Sequence, residues 1–336
     1  MSDFQRNNPG IIWPMNARYD FAVLGNTVVD GICHVDERVL KTYNLKKGDS
    51  NTVSAATMFE LAGLLTVEQF RSGGSAANTA YTLGKLGSKV CFLGRLGADP
   101  TGRHFAEEMI AAGVSVTPPH AGHRTTEVFT LITPDGMRTM VQGDPPPPSP
   151  DDSWVDEKML EDSGCLIIGA YAMGTTPAAA IFAAQTMAKL RRPICISLAS
   201  PRAVQAAQST LIDVIQAHHP LVIGNTAEWD TLVKFSDPHT VEILEKTPRV
   251  MTRSGLGASF HGFDASGTPM VIDSTTQPIP KPTDVSGAGD AFAAGFLRTY
   301  MGGGSAQLAL HHGHQLGRAV VLQLGPRLAG EIHLES

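Results

Sequence analysis

The sequence predicts a doubly wound α/β sandwich with a smaller β-rich region, and three observations lead there. Short apolar runs alternate with longer Ala/Leu-rich segments along most of the chain. The runs are continuous rather than alternating, which marks strands covered on both faces of a sheet. Two stretches, 28–57 and about 125–142, break this rhythm with short β-like pieces.

The elements follow in order. Residues 21–25 form a first buried strand, and 90–94, 165–169, 193–198, 221–225 and 249–252 follow as further candidates. Helix-like segments lie between them at 76–86, 102–112, 177–190 and 201–217. Parallel neighbours need crossover connections of this kind, so the alternation implies helices on both faces. In the β-rich region, Glu127 to Thr133 reads as a strand, Pro134-Asp135-Gly136 as a tight turn, and Met137 to Val141 as the return. Residues 144–150 are rich in proline and form either a stiff polyproline connector or a plain loop. No internal repeat is present.

Composition narrows the function classes. The chain has 336 residues, 42% of them hydrophobic and 17% charged, enough for a substantial core and against wholesale disorder. The net charge of −6, with no long Lys/Arg run, argues against nucleic acid as a partner. Cys33, Cys91, Cys165 and Cys195 are far apart, and the last three sit in apolar runs as buried thiols of a reducing compartment. No apolar run approaches the ~20 residues of a membrane span, and Met1 to Pro9 lack a signal core. The expectation is a cytoplasmic protein with a loose N-terminus and no membrane partner.

The chemistry concentrates at Asp284-Val285-Ser286-Gly287-Ala288-Gly289-Asp290, which opens a segment of small apolar residues. A helix N-terminus offers backbone N–H groups and partial positive charge to an anion. Gly287 and Gly289 let the backbone approach that anion closely. Asp290 then sets a carboxylate beside a phosphate cradle, where it suits a base that takes a proton from an attacking hydroxyl. There is no Gly-x-x-x-x-Gly-Lys-[Ser/Thr], since Gly84-Lys85 is followed by Leu86. Gly-x-Gly-x-x-Gly is absent after the first strand, which weakens a dinucleotide oxidoreductase. His311-His312-Gly313-His314 has no acidic or Cys companions and reads as a surface or nucleotide-edge position rather than a metal site.

The 284–290 run resembles the C-terminal signature of the ribokinase-like carbohydrate and nucleoside kinases, the pfkB family, with Val285 in place of the usual Thr. Ser72-Gly73-Gly74-Ser75-Ala76-Ala77-Asn78 is similar to the family's Gly-Gly-x-x-x-Asn signature, and residues 94–102 to its Gly-x-x-Gly-x-Asp-x-x-Gly segment. The resemblance runs from Phe21 to about Leu328 and implies a three-layer α/β/α sandwich with a small β-sheet lid. It divides the chain into a large domain of 19–30, 58–122 and 145–330 and a discontinuous lid of 31–57 and 123–144.

The same resemblance implies roles for individual residues. Asp290 is the catalytic base, and Gly287, Ala288 and Gly289 form the anion hole. Asn26, Asp30, Gly73, Gly74, Asn78 and Arg138 contact the acceptor. Arg138 either reaches in toward the transferring phosphoryl charge or is an ordinary hairpin charge. Asn225 and Glu228 arrange magnesium through its water shell, since this ion keeps several of its waters; the pair would also suit a helix cap. Asn225, Thr252, Ser254, Gly255 and Gly257 border ATP, with Ser254 departing from the family's usual Gly.

The implied activity is ATP-dependent phosphorylation of a primary hydroxyl, with ATP and Mg2+ required and K+ activation an expectation of the resemblance alone. Gly25 to Asp30, Val35 to Leu40, Leu45 to Gly48 and Gly325-Pro326-Arg327-Leu328 look like the adenosine-kinase branch. They favour adenosine or a related purine nucleoside, phosphorylated at the 5′-hydroxyl. A sugar kinase of the ribose, fructose or 2-keto-3-deoxygluconate type is the alternative, and a non-catalytic ligand-binding protein on the same fold a third reading. Phe129 and Tyr171 are candidates for clamping a base. The expected partner is a small-molecule nucleoside or sugar, and the chain is a monomer or homodimer.

Overall fold

The computed structural model describes residues 17–143, 148–264, 266–330 and 332–334. The N-terminal stretch 1–9 and part of the proline-rich connector, 144–147, lie outside the described residues. In chain order the strands begin with β1 (Tyr19–Leu24), β2 (Val28–His34), β3 (Ser50–Val53), β4 (Gln69–Gly73), β5 (Val90–Leu93), β6 (Val114–Val116) and β7 (Thr126–Ile132). They continue with β8 (Arg138–Gly143), β9 (Ser163–Gly169), β10 (Ile194–Ser197), β11 (Leu221–Asn225), β12 (Arg249–Thr252), β13 (Ala258–Phe263) and β14 (Pro269–Ser274).

The large sheet has the order β14-β13-β12-β11-β10-β9-β1-β5-β6 and the small one β3-β8-β7-β2-β4. From β6 to β12 the large sheet is parallel, and β13 and β14 return antiparallel at its edge. β1 shows why the sheet is covered on both sides. Phe21 and Val23 pack into one core cluster with the helices Ser75–Lys85, Ala288–Met301 and Ala306–Val320. Ala22 and Leu24 pack into another with Pro177–Lys189 and Pro201–His218. The architecture is the ribokinase-like α/β/α sandwich expected from the sequence.

Caps set the helix ends. Asp99 accepts from the Gly102 N–H and Pro100 takes the first position, so that helix is Pro100–Ala111 rather than 102–112. Ala288–Met301 is lined with small residues, and a Cβ on Gly295 would stand 2.6 Å from the His312 carbonyl oxygen. Glycine thus lets this helix press against Ala306–Val320.

The small sheet departs from the expected division in two ways. β4 falls in the 58–122 stretch assigned to the large domain, yet it pairs antiparallel with β2. Its sequence, Gln-Phe-Arg-Ser-Gly, has one large apolar residue, so no hydrophobic pattern announces it. The 31–57 stretch also contains the helix Glu37–Thr42 and the start of Ala55–Leu64. Asp36 and Ser54 cap them by accepting from the Arg38 and Thr57 N–H groups. Leu40 and Leu61 then bury into a separate core with Cys33, Leu131 and Val141. Among the described residues no helix is long and apolar enough to cross a membrane.

Candidate active site

Gly287 caps the Ala288–Met301 helix in the left-handed region at φ 74°, where a Cβ would lie 2.3 Å from the Pro326 carbonyl oxygen. The Ala288 N–H makes a long contact of 3.4 Å to the Val285 carbonyl. Nothing lies within 4 Å of a Cβ built on Gly289, so the backbone there faces open space. One residue on, Asp290 is buried. The Ser75 hydroxyl donates to its Oδ1 at 2.5 Å and Asn78 Nδ2 donates to its Oδ2 at 2.9 Å. Both donors sit in the first turns of Ser75–Lys85. Burial pushes the Asp290 carboxyl up, while the Ser75 and Asn78 bonds and the nearby Arg327 guanidinium pull it back.

Other residues expected at the acceptor gather near the C-terminal end of β1. There β1 lies between β5 and β9, where the chain's direction of growth across the sheet reverses, a usual place for ligands in such folds. Asn26 Oδ1 accepts from the Thr175 hydroxyl at 2.8 Å. Burial pushes Asp30 up to about 6, opposed by Arg327. A Cβ on Gly73 would meet Asp30 Oδ2 at 2.3 Å, so the glycine leaves room for that carboxylate in its present position. Gly74, at φ 94°, caps the helix that carries Asn78.

A recess lined by Ser197, Gly224, Asn225, Glu228, Thr252 and Gly289, among others, opens at the ends of β10, β11 and β12. It joins the glycine turn to Asn225 and Glu228, which form a reciprocal capping box. Glu228 accepts from the Asn225 N–H at 2.8 Å and from Asn225 Nδ2 at 2.7 Å. Burial pushes its carboxyl up to about 7, with Asp290 adding to the rise and the Asn225 bonds opposing it. Both carboxylate oxygens are engaged, so this pair fits a magnesium ion held by phosphate oxygens and water rather than in a protein cage. Among the described residues no three His, Cys, Asp or Glu side chains form such a cage.

Ser254, Gly255 and Gly257 build the next turn outside that recess lining. Ser254 has φ 51°, and Gly257 has φ 114° with a Cβ position only 2.1 Å from the Ser274 carbonyl. Arg138 Nη1 donates to Asp284 Oδ2 at 2.8 Å, and the Gly325 N–H donates to the same oxygen at 3.0 Å. Against the pull of burial, bonds from Ser286 and Gly325 and the charge of Arg138 hold Asp284 below the usual carboxylate range. Arg138 therefore ties β8 of the small sheet to the loop before the glycine turn.

Some expectations need correction. Phe129 is buried in the core of the small sheet against Gly31, so it cannot clamp a base. The other clamp candidate, Tyr171, is exposed with its hydroxyl 2.8 Å from Ser200 Oγ, and this placement does not contradict the expectation. His312 and His314 are buried rather than superficial, His312 bonding Thr299 at 2.6 Å and His314 packing edge-on to Phe292. They fill the space between the two C-terminal helices. Ser75, Asp284 and Arg327 went unassigned by sequence reasoning, although each lies inside or beside a quoted motif.

Comparison with known proteins places this geometry. The family model described as pfkB family carbohydrate kinase matches residues 44–332. Adenosine kinase of Saccharomyces cerevisiae is 24% identical over 338 residues, covering 92% of this chain and 96% of that protein. The 5-dehydro-2-deoxygluconokinase of Lacticaseibacillus casei is 26% identical over 267 residues, covering 75% and 81%. The crystal structure of adenosine kinase from Sinorhizobium meliloti superposes with a TM-score of 0.77 at 25% identity, covering 94% of this chain and 97% of that one.

Proposed function

This chain belongs to the pfkB family of carbohydrate kinases and is a kinase, and we propose that it phosphorylates the 5′-hydroxyl of adenosine or a related purine nucleoside from ATP. The observation that carries the reaction is Asp290, held by Ser75 and Asn78 at the N-terminus of Ala288–Met301. Asp290 takes the proton of the attacking hydroxyl. The first-turn amides beside Gly287, Ala288 and Gly289 face the phosphoryl group being transferred. Asp30 and Asn26 orient the acceptor, and the β7–β8 hairpin covers it and excludes water. A magnesium ion would supply charge neutralisation between the phosphates, with Asn225 and Glu228 behind its water shell.

The nucleoside reading draws on adenosine kinases that match nearly the full chain. A sugar acceptor is the second reading, favoured by the 5-dehydro-2-deoxygluconokinase relatives. The test is ADP release with ATP and magnesium, in K+ and in Na+ buffer, against adenosine, inosine, guanosine, cytidine, ribose, fructose, 2-keto-3-deoxygluconate and 5-dehydro-2-deoxygluconate. Strong turnover on adenosine with little on free sugars supports the proposal. Turnover on a sugar alone replaces the acceptor and leaves the mechanism. Silence with all of them overturns both acceptor readings.

A further inference from the structure

We propose that Arg327 is a positioning residue for phosphoryl transfer, fixing the Asn78 amide so that Asn78 fixes the Asp290 carboxylate; this rests on the reading of Asp290 as the base. Arg327 Nε donates to Asn78 Oδ1 at 3.0 Å, and Asn78 Nδ2 donates to Asp290 Oδ2 at 2.9 Å. An amide has one accepting end and one donating end. With Oδ1 committed to a guanidinium, Nδ2 is the end left for the carboxylate. Without that donor the amide is free to turn, and Oδ1 would then oppose a carboxylate oxygen.

Arg327 is itself held in place. Its guanidinium lies 4.6 Å from the centre of the Tyr81 ring, donates to Ser72 Oγ, and makes a long contact of 3.9 Å with Glu108 Oε2. The loop that carries it is anchored at two further points, by the Gly325 N–H on Asp284 and by Pro326 packed against Gly287. One short loop thus braces the glycine turn and the base together. Arg327 Nη2 is buried with no hydrogen-bond partner among the described residues. A buried guanidinium left partly unsatisfied is a poor stabiliser, so its effect on Asn78 and Asp290 is the better account of its place.

The charged groups around Asp290 come from several elements. Arg327 approaches from the C-terminal loop, Glu228 from Thr226–Lys234 and Asp30 from β2, while Glu108 of Pro100–Ala111 faces Arg327. Arg327 is the cation of this set, and its charge favours the ionised base.

The test compares Arg327→Met, Arg327→Lys and Asp290→Asn, using adenosine or the sugar that outperforms it in the panel above. Circular dichroism checks folding. In Arg327→Met, kcat should fall on the order of 100-fold through misplacement of the base. Both KM values should stay within about threefold, because uniform binding is not the target. The acid limb of the kcat–pH profile should move to higher pH, since losing the cation makes Asp290 easier to protonate. Arg327→Lys keeps charge without the planar fork, so its limb should stay in place while kcat remains low. Wild-type kcat in either folded variant overturns the proposal, as does a lowered kcat in Arg327→Met with an unmoved limb. If Arg327→Met does not fold, Arg327→Lys decides by its kcat alone. Wild-type turnover in Asp290→Asn would instead sink the reading of the base, whatever the Arg327 variants do.

Discussion

Glu228→Gln should change the sign of its effect on stability with pH. Burial, reinforced by Asp290, raises this carboxyl from the ordinary value of 4.5 to about 7, a rise of about 2.5 pKa units and so ~3 kcal/mol. A raised folded pKa means the group's contribution is fully present below pH 4.5 and is lost as pH climbs through 7. The glutamine carries no such loss. It does bring an amide N–H end to a site where Asn225 offers two donors, its N–H and Nδ2. One bond of the capping box therefore fails, costing about 1 kcal/mol. The variant should be less stable than wild type by about 1 kcal/mol near pH 4.5 and more stable by about 2 kcal/mol near pH 8. Thermal melts should place its Tm about 2 °C below wild type at the lower pH and about 4 °C above it at the higher. Differences of the same sign at both pH values would refute the account of Glu228.

Three further outcomes are expected. Asp290→Asn should lower kcat by ~10³-fold or more while nucleotide binding by calorimetry persists; retained turnover would remove Asp290 as the base. Gly289→Ala should melt like wild type yet lose activity, because its Cβ enters open space beside the recess, whereas Gly287→Ala should lower Tm through a left-handed backbone and the Pro326 carbonyl; equal melts for the two would contradict this contrast. Asp30→Ala should raise the acceptor KM by about tenfold or more, from loss of charged hydrogen bonds, and leave the KM for ATP in place; an unchanged acceptor KM would take Asp30 out of the site.

The fold was legible where burial is complete. Val90–Leu93 is buried at every position and reads as an unbroken apolar run, and Ile194–Ser197 does so up to its closing serine. β4 was not legible because its partners, rather than its own residues, make it a strand. The helices of the small sheet were hidden in a stretch where Asp36 and Ser54 look like ordinary loop residues until their caps are seen. Around Asp290, the paired glycines and the carboxylate stand out because they fall together in one short run at a helix start. Sequence reasoning gives Asn78 to the acceptor, whereas the structure bonds its amide to Asp290 and Arg327. That link depends on which end of an amide faces which neighbour, and nothing along the chain encodes it locally. Phe129 misled for the opposite reason, as an aromatic in a lid strand whose ring turns into the core.

The bond from Ser75 to Asp290 closes a span of 215 residues, and that from Arg327 to Asn78 closes 249. Each such contact closes a long loop and carries the entropy of that closure. On the ribosome, Ser75 must wait through the synthesis of those 215 residues, on the order of 10–40 s, before its carboxylate exists. A nascent chain long enough to form β1 to β12 would have the recess strands but neither Asp290 nor Arg327. With Asp290 as the proposed base, such a fragment would lack the group that deprotonates an acceptor, and synthesis would have to pass residue 290 before turnover could begin.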